Sequence, residues 1–372
     1  MSSASLAGIN VDIPPIWCPI ESAVHPQVAR INARITPWFS SFDLDALTMK
    51  RIGPTHSGEW VCRVAPDGEE EHLQIFADWV CWAFLFDDFY SDGGPLMNRP
   101  DLYNPMISMM LGNLTHPERP VFDGNPFTEP LCMLRRRLQR VVSPAQLERW
   151  VHCHYIWLLG SACSVSDRLG ARVRSLDEHM FIGALDRGED LTTLFIELCE
   201  RTELSAAERN LPQVRAITGA TNVLVTGYND VASFRREVLQ DSPESNLVRV
   251  LQNERKCSPQ DAMTEAITLL DCVMHLFVTL REQIEPTAST QLVRYMAQLA
   301  HKIRGNIDWQ RTVPRYSNDM RLELADPSGE TRESPARPPA GSQFEFTDHP
   351  SHSGLIPVAP SVSWWWEVAA RL

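Results

Sequence analysis

Three acids, Asp87, Asp88 and Asp92, close one of the most apolar stretches of the chain, "ADWVCWAFLFDDFYSD". A helix that is apolar nearly all round is one surrounded by other helices. Gly93-Gly94-Pro95 stops it directly behind the acids. Carboxylates at a helix C-terminus oppose the macrodipole, at a cost of a few tenths of a kcal/mol up to about 1 each. That placement suits a bound cation, and oxygen-only ligation points to Mg²⁺, Mn²⁺ or Ca²⁺ rather than zinc. Taken alone, the three acids read equally well as a solvated helix end.

A second constellation is "NDVASFRRE", residues 229–237, at the end of the apolar run "TNVLVTGY". Asn229, Ser233 and Glu237 are spaced four apart, so an amide, a hydroxyl and a carboxylate share one helix face. Together they suit a hard cation, and Arg236 beside them could hold an anion bound to the same ion. A single such triplet is more often a polar helix face; two oxygen-rich sites on apolar helices shift the balance towards metal. Further on, Arg315 and Tyr316 follow Pro314 as a pair of donors.

The elements that must carry these groups are helical. From about residue 26 to 320, long apolar-periodic segments alternate with short Pro/Gly/Asn/Asp punctuation, without βαβ alternation or internal repeat. The expectation is one all-α domain over residues 1–320. Residues 321–372 are rich in Pro, Ser and Gly and read as a largely disordered tail, ending in Trp364, Trp365 and Trp366. Those tryptophans read either as docked or as an uninformative end. The "HCH" at residues 152–154 puts its members on different helix faces, against a zinc site. Arg135–Arg137 read as a solvated face.

The 372 residues carry 34 basic and 47 acidic side chains, a formal charge of −13. That balance disfavours nucleic acid and anionic membrane as partners, and an anionic substrate needs metal ions to attract it. No uninterrupted apolar run of eighteen residues and no basic-apolar leader is visible, and the nine cysteines are scattered. The expectation is a cytoplasmic protein with reduced thiols and no membrane span.

In order and spacing, "FLFDDFYSD", "NDVASFRRE" and "RGNIDWQRTVPRY" resemble the class I terpene synthases of bacteria and fungi, over roughly residues 15–320. The resemblance implies a helical bundle around an apolar cavity and three Mg²⁺ ions. It implies a linear prenyl diphosphate substrate (farnesyl favoured, geranylgeranyl close) cyclised after loss of diphosphate, and a homodimer. Asp87 and Asp92 would be metal ligands, with Asp88 supporting through a basic residue. Asn229, Ser233 and Glu237 would hold a further ion, and Arg236, Arg315 and Tyr316 would bind diphosphate. Phe84, Phe181 and Trp309 would line the cavity. Asp87 and Asp92 are about 140° apart on an ideal helix, so the helix must loosen between them.

One position departs from the family. The diphosphate-sensing arginine expected 46 residues before Asn229 is Gly183. Asp186 and Gly188 match the acidic linker and helix break that follow it, and Arg187 stands as a replacement sensor or as a surface arginine. Two other readings share the motifs, a chain-elongating prenyltransferase and a non-catalytic scaffold with a Trp-rich docking tail. The Asn/Ser/Glu second site, rather than a second aspartate-rich one, argues for cyclisation.

Overall fold

A computed structural model describes residues 11–118, 124–239, 244–313, 344–351 and 358–372. Arg315 and Tyr316 lie outside the described residues. The chain forms α1 (Val28–Phe39), α2 (Ala46–Ile52), α3 (Ser57–Val64), α4 (Glu70–Phe86), α5 (Pro100–Thr115), α6 (Thr128–Leu138) and α7 (Pro144–Gly170). It continues through α8 (Leu176–Asp186), α9 (Glu189–Cys199), α10 (Ala206–Arg209), α11 (Pro212–Leu239), α12 (Leu247–Arg255), α13 (Pro259–Ile284) and α14 (Thr290–Gln310). A last short helix, α15, spans Trp364–Ala369. The fold is all-α.

Helix starts follow local chemistry. Ser143 and Ser175 accept the backbone N–H of Gln146 and Glu178, whose side chains accept the serine N–H in return. These reciprocal caps fix where α7 and α8 begin. Helix α4 is buried on almost every side, as its composition requires. Trp79, Trp82 and Phe86 pack on Trp157 of α7 with ring centroids 5.7, 6.0 and 6.0 Å away. His154 belongs to this aromatic core: Trp79 donates to its Nε2 at 3.0 Å, and burial pushes its pKa down to about 4. Residues 259–287 are long and apolar enough to cross a membrane, but most of that segment is buried, with α13 packed on α11 and α12.

One sequence reading needs correction. Arg137 is not simply part of a solvated face: its Nη1 lies 2.6 Å from Asp78, an acid 1% exposed on α4. An acid set in an otherwise apolar helix needs a cation, and α6 supplies it. The described parts of the tail are docked. Phe346–Thr347 (β2) pairs in parallel with Ile16–Trp17 (β1), and the guanidiniums of Arg304 and Arg311 lie 4.4 and 4.7 Å from the Phe346 ring. Ser351 donates its N–H and hydroxyl to Asp271. Trp365 and Trp366 of α15 are buried, and Trp365 fills the notch over Gly219 of α11, where a Cβ would come within 2.6 Å of the indole.

Candidate active site

At the end of α4 the helix widens. Asp87–Ser91 form a π-turn, closed by the Asp92 N–H donating to the Asp87 carbonyl at 2.7 Å. A bond between residues five apart stacks Asp92 nearly above Asp87. The helical mismatch is thereby removed, and the loosening falls where the motif requires it. Ser91 donates its hydroxyl to Asp87 Oδ1 at 2.9 Å. Burial, followed by the charge of Asp92, pushes the Asp87 pKa well up, with smaller contributions from Asp186 and Asp88. Several carboxylates thus converge where one of them is costly to ionise, an arrangement that fits a multivalent cation.

Asp92 also meets Arg168 of α7, whose Nη2 lies 2.9 Å from Oδ1 and whose Nη1 donates to the Ser91 carbonyl. Nothing in the sequence singles out Arg168, because the π-turn that brings Asp92 to α7 is not encoded in any helical spacing.

Across from this turn, Ser233 and Glu237 lie together on α11, with Ser233 donating to Glu237 Oε1 at 2.6 Å. Asn246, the N-cap of α12, donates to Glu237 Oε2 at 2.9 Å. Asn229 is half-buried one turn earlier on the same face. Burial raises the Glu237 pKa, against the opposing pull of Arg187 and Arg236. The donor set is oxygen throughout, as a hard divalent ion prefers.

Between the two motifs stands Arg187, at the junction of α8 and α9. Gly188 adopts a left-handed conformation (φ 65°) and starts α9, and the Trp157 indole donates to the Asp186 carbonyl at 3.1 Å. From this break Arg187 reaches Asp186 at 2.9 Å and Asp230 at 2.7 Å, and it feels the charges of both Glu237 and Asp92. Asp230, fully buried, also takes His179 Nε2 at 2.9 Å and the Leu247 N–H at 2.9 Å. Burial pushes Asp230 up, but Arg187, His179 and that amide outweigh it and hold its pKa below the ordinary carboxylate value.

Neither Asp230 nor His179 stands out in the sequence. Asp230 is next to Asn229 and off its face, but His179, Gly183 and Arg187 are spaced four apart and share one face of α8. A Cβ at Gly183 would sit 3.3 Å from both His179 and Thr226, so α8 packs closely on α11 there. Basic groups one turn to either side reach the same aspartate.

Beneath the break, Lys302 of α14 is fully buried. Its Nζ contacts Glu189 Oε2 at 2.7 Å, the Glu189 carbonyl at 2.9 Å and Thr193 Oγ1 at 2.8 Å. It thereby ties the first turn of α9 to α14.

Of the aromatic wall candidates, Phe84 and Trp309 stack in parallel at 5.7 Å, one turn before Asp87 and near the end of α14. Phe181 is 65% exposed. The face of α8 that meets α11 is set by residues 179, 183 and 187, which leaves residue 181 on the opposite side. It lines a separate 1200 Å³ cavity between α7, α8, α9, α11 and Trp364–Trp365 that contains none of the motif residues.

Residues 78–275 match the family described as terpene synthase family 2, C-terminal metal binding. The chain belongs to the terpene synthase family. It is 30% identical to spiroviolene synthase of Streptomyces violens over 97% of this chain and 98% of that one. Identity to a (2E,6E)-farnesyl diphosphate-cyclizing T-muurolol synthase of Streptomyces clavuligerus is 27%, covering 96% and 82%. A crystal structure of a protein from ancestral sequence reconstruction superposes with a TM-score of 0.82 at 29% identity, covering 96% of this chain and 99% of that one. This terpene synthase is therefore a cyclase of the lyase type, and its family binds divalent metal. The prenyltransferase and scaffold readings lose their footing.

Proposed function

We propose that this terpene synthase is a Mg²⁺-dependent cyclase of a linear prenyl diphosphate, farnesyl diphosphate first and geranylgeranyl diphosphate second. The observation that carries the reading is the π-turn that stacks Asp87 and Asp92 opposite Ser233 and Glu237, with Arg187 coupled to both sides. In this reading Asp87 and Asp92 hold part of a three-ion Mg²⁺ cluster, and Asn229, Ser233 and Glu237 hold the rest. When bound, the ions act as Lewis acids on the diphosphate oxygens as the allylic C–O bond breaks.

The chain's own groups do the remaining work. Arg236, Arg315 and Tyr316 donate to the diphosphate, and Arg187, already poised between the motifs, takes the part of the missing sensor at Gly183. The Phe84–Trp309 pair presents aromatic faces to migrating positive charge, worth roughly 0.5–2 kcal/mol each. The farnesyl preference draws on the substrate of the T-muurolol synthase relative. The enzyme works as a cytoplasmic homodimer in this reading, which light scattering on the purified protein tests.

The deciding experiment incubates the protein with Mg²⁺ and the C10, C15, C20 and C25 diphosphates, then analyses the extract by gas chromatography and mass spectrometry. The expected result is a cyclic C15 hydrocarbon or alcohol. Cyclic product from C20 alone overturns the substrate assignment, and unchanged diphosphate at every length overturns the whole reading.

A further inference from the structure

At the other end of α4 a second group of metal-ligating side chains comes together. Asp67 lies in the connection between α3 and α4, Glu200 caps the C-terminus of α9, and His301 is on α14. One ligand atom from each lies within 4.8 Å of the other two. Asp67 is exposed, which leaves an entry path, while Glu200 and His301 are half-buried. Helix α4, 17 residues long, holds its two ends roughly 25 Å apart at about 1.5 Å of rise per residue, and Asp87 is at the far one. The cluster is separate from the diphosphate site.

The polar atoms here are only partly satisfied by the protein, the Glu200 carboxylate taking hydrogen bonds from Gln298 and from the Asp67 backbone. Glu200 Oε1 and His301 Nδ1 are buried without a hydrogen-bond partner among the described residues. Gln298, one turn before His301 on the same face of α14, is 3% exposed and bonds the Glu200 carboxylate. Its amide N–H donates to Thr202 at 2.6 Å, but its Oε1 is also left without a partner. Glu200 and His301, which both bring a ligand atom to the cluster, thus each keep one buried atom unpartnered among the described residues, as an open coordination site would leave them. None of Asp67, Glu200 and His301 forms an ion pair among the described residues.

We propose that Asp67, Glu200 and His301 form a second metal site, for a divalent cation that accepts imidazole together with carboxylate, with Zn²⁺ as the best fit. Two carboxylates balance the charge of the ion, the imidazole selects against Mg²⁺, and Gln298 Oε1 or a water completes four-coordination. The ion staples the α3–α4 connection, the end of α9 and α14 at the closed end of the bundle. It has no part in the chemistry at Asp87.

The test uses the full chain, stripped with EDTA and dialysed, in an Asp87→Asn/Glu237→Gln background that disables the other metal site. Zn²⁺ is titrated by calorimetry, and Co²⁺ is added separately to look for the visible d–d absorption of a four-coordinate site. The expected result is one Zn²⁺ per chain, a raised melting temperature, and at least a tenfold loss of affinity in both His301→Gln and Glu200→Gln. In the otherwise wild-type chain, His301→Gln should leave Mg²⁺-dependent turnover within about twofold. Absence of stoichiometric Zn²⁺, or binding unaffected by both substitutions, overturns the site and leaves water as the partner of the orphaned atoms. Should His301→Gln fail to fold, Asp67→Asn on the exposed side replaces it, with the same loss of Zn²⁺ affinity expected and unchanged affinity overturning the site.

Discussion

On the α4 side of the active site, Asp87 has one serine hydroxyl for a donor and other acids for neighbours, and its pKa is pushed up. On the α11 side, Asp230 is equally buried but has an arginine, a histidine and a backbone amide, and its pKa is held down. Both groups of acids border the same site. Asp230 is built with its counter-charge in contact; on the α4 side Arg168 serves Asp92, and Asp87 has no basic partner among the described residues. A buried carboxylate without a basic partner, such as Asp87, is tolerable in a folded chain only if it protonates or if a cation arrives. Under the proposed function, the contrast separates what a diphosphate–metal complex would supply from what the fold already supplies.

The largest effects expected come from removing the acids whose pKa values are raised, Asp87 and Glu237. Asp87→Ala should lower turnover by about 10³-fold or more, the scale of losing a principal electrostatic stabiliser. Helical circular dichroism should be unchanged, because an acid with a raised pKa contributes no stability when ionised. Glu237→Ala should match it in turnover. Near-normal product from either variant, measured by gas chromatography, breaks the metal assignment.

The compensated side should fail differently. Arg187→Met leaves Asp230 buried with fewer partners, and breaking a buried pair typically costs about 3–5 kcal/mol. Unlike Asp87→Ala, this variant should melt well below the parent in urea or heat. Arg187→Lys keeps the charge but cannot span Asp186 and Asp230 at once, so stability should return in part while the affinity for inorganic diphosphate stays reduced. An Arg187→Met protein that melts like the parent would show that the bridge across the site is not structural.

The same contrast predicts a pH signature. Asp87 and Glu237 have raised pKa values in the fold, so the stability linked to them is complete below the ordinary carboxylate value, near about 4. It is lost as pH rises through their raised folded values. Asp230 is depressed, so its contribution is present above the ordinary carboxylate value and is lost as pH falls through its lowered one. In EDTA, therefore, melting temperature should fall as pH rises out of the carboxylate range. Mg²⁺ with inorganic diphosphate should flatten that fall. A metal-free curve that already rises with pH through that window contradicts an unpartnered Asp87.

How much of this is legible in the sequence depends on whether the deciding geometry is local. The burial of α4 follows from its all-round apolarity, and the need for a loosened turn follows from the spacing of Asp87 and Asp92. The face shared by Ser233 and Glu237 follows from helical periodicity. Phe181 enters through the family resemblance, which does not say which face of α8 meets a neighbour; Gly183 packing on Thr226 settles that and leaves Phe181 exposed. Arg168 and Asn246 reach the site from other helices, through contacts that no spacing within one segment encodes. Arg137 escapes for the same reason, since its partner lies 59 residues away. The docked tryptophans depend on a notch at Gly219, which composition cannot reveal.

The smallest effect separates the aromatic faces from the rest of the bundle. Phe84 stacks on Trp309 next to the acids, whereas Phe181 is on the outer face of α8, so the two phenylalanines should behave oppositely. Phe84→Ala should change the ratio of cyclic products and lower turnover by up to roughly tenfold, the equivalent of about 1.4 kcal/mol of lost transition-state stabilisation. Phe181→Ala should leave both the product ratio and turnover within about twofold. Trp365→Ala, which empties the notch over Gly219, should lower melting temperature while leaving the product ratio alone, because Trp365 meets α11 at Gly219, well before Asn229. If Phe181→Ala instead redirects the products, the lateral cavity it lines is connected to the reaction, and the boundary between site and surface has to move outward across α8.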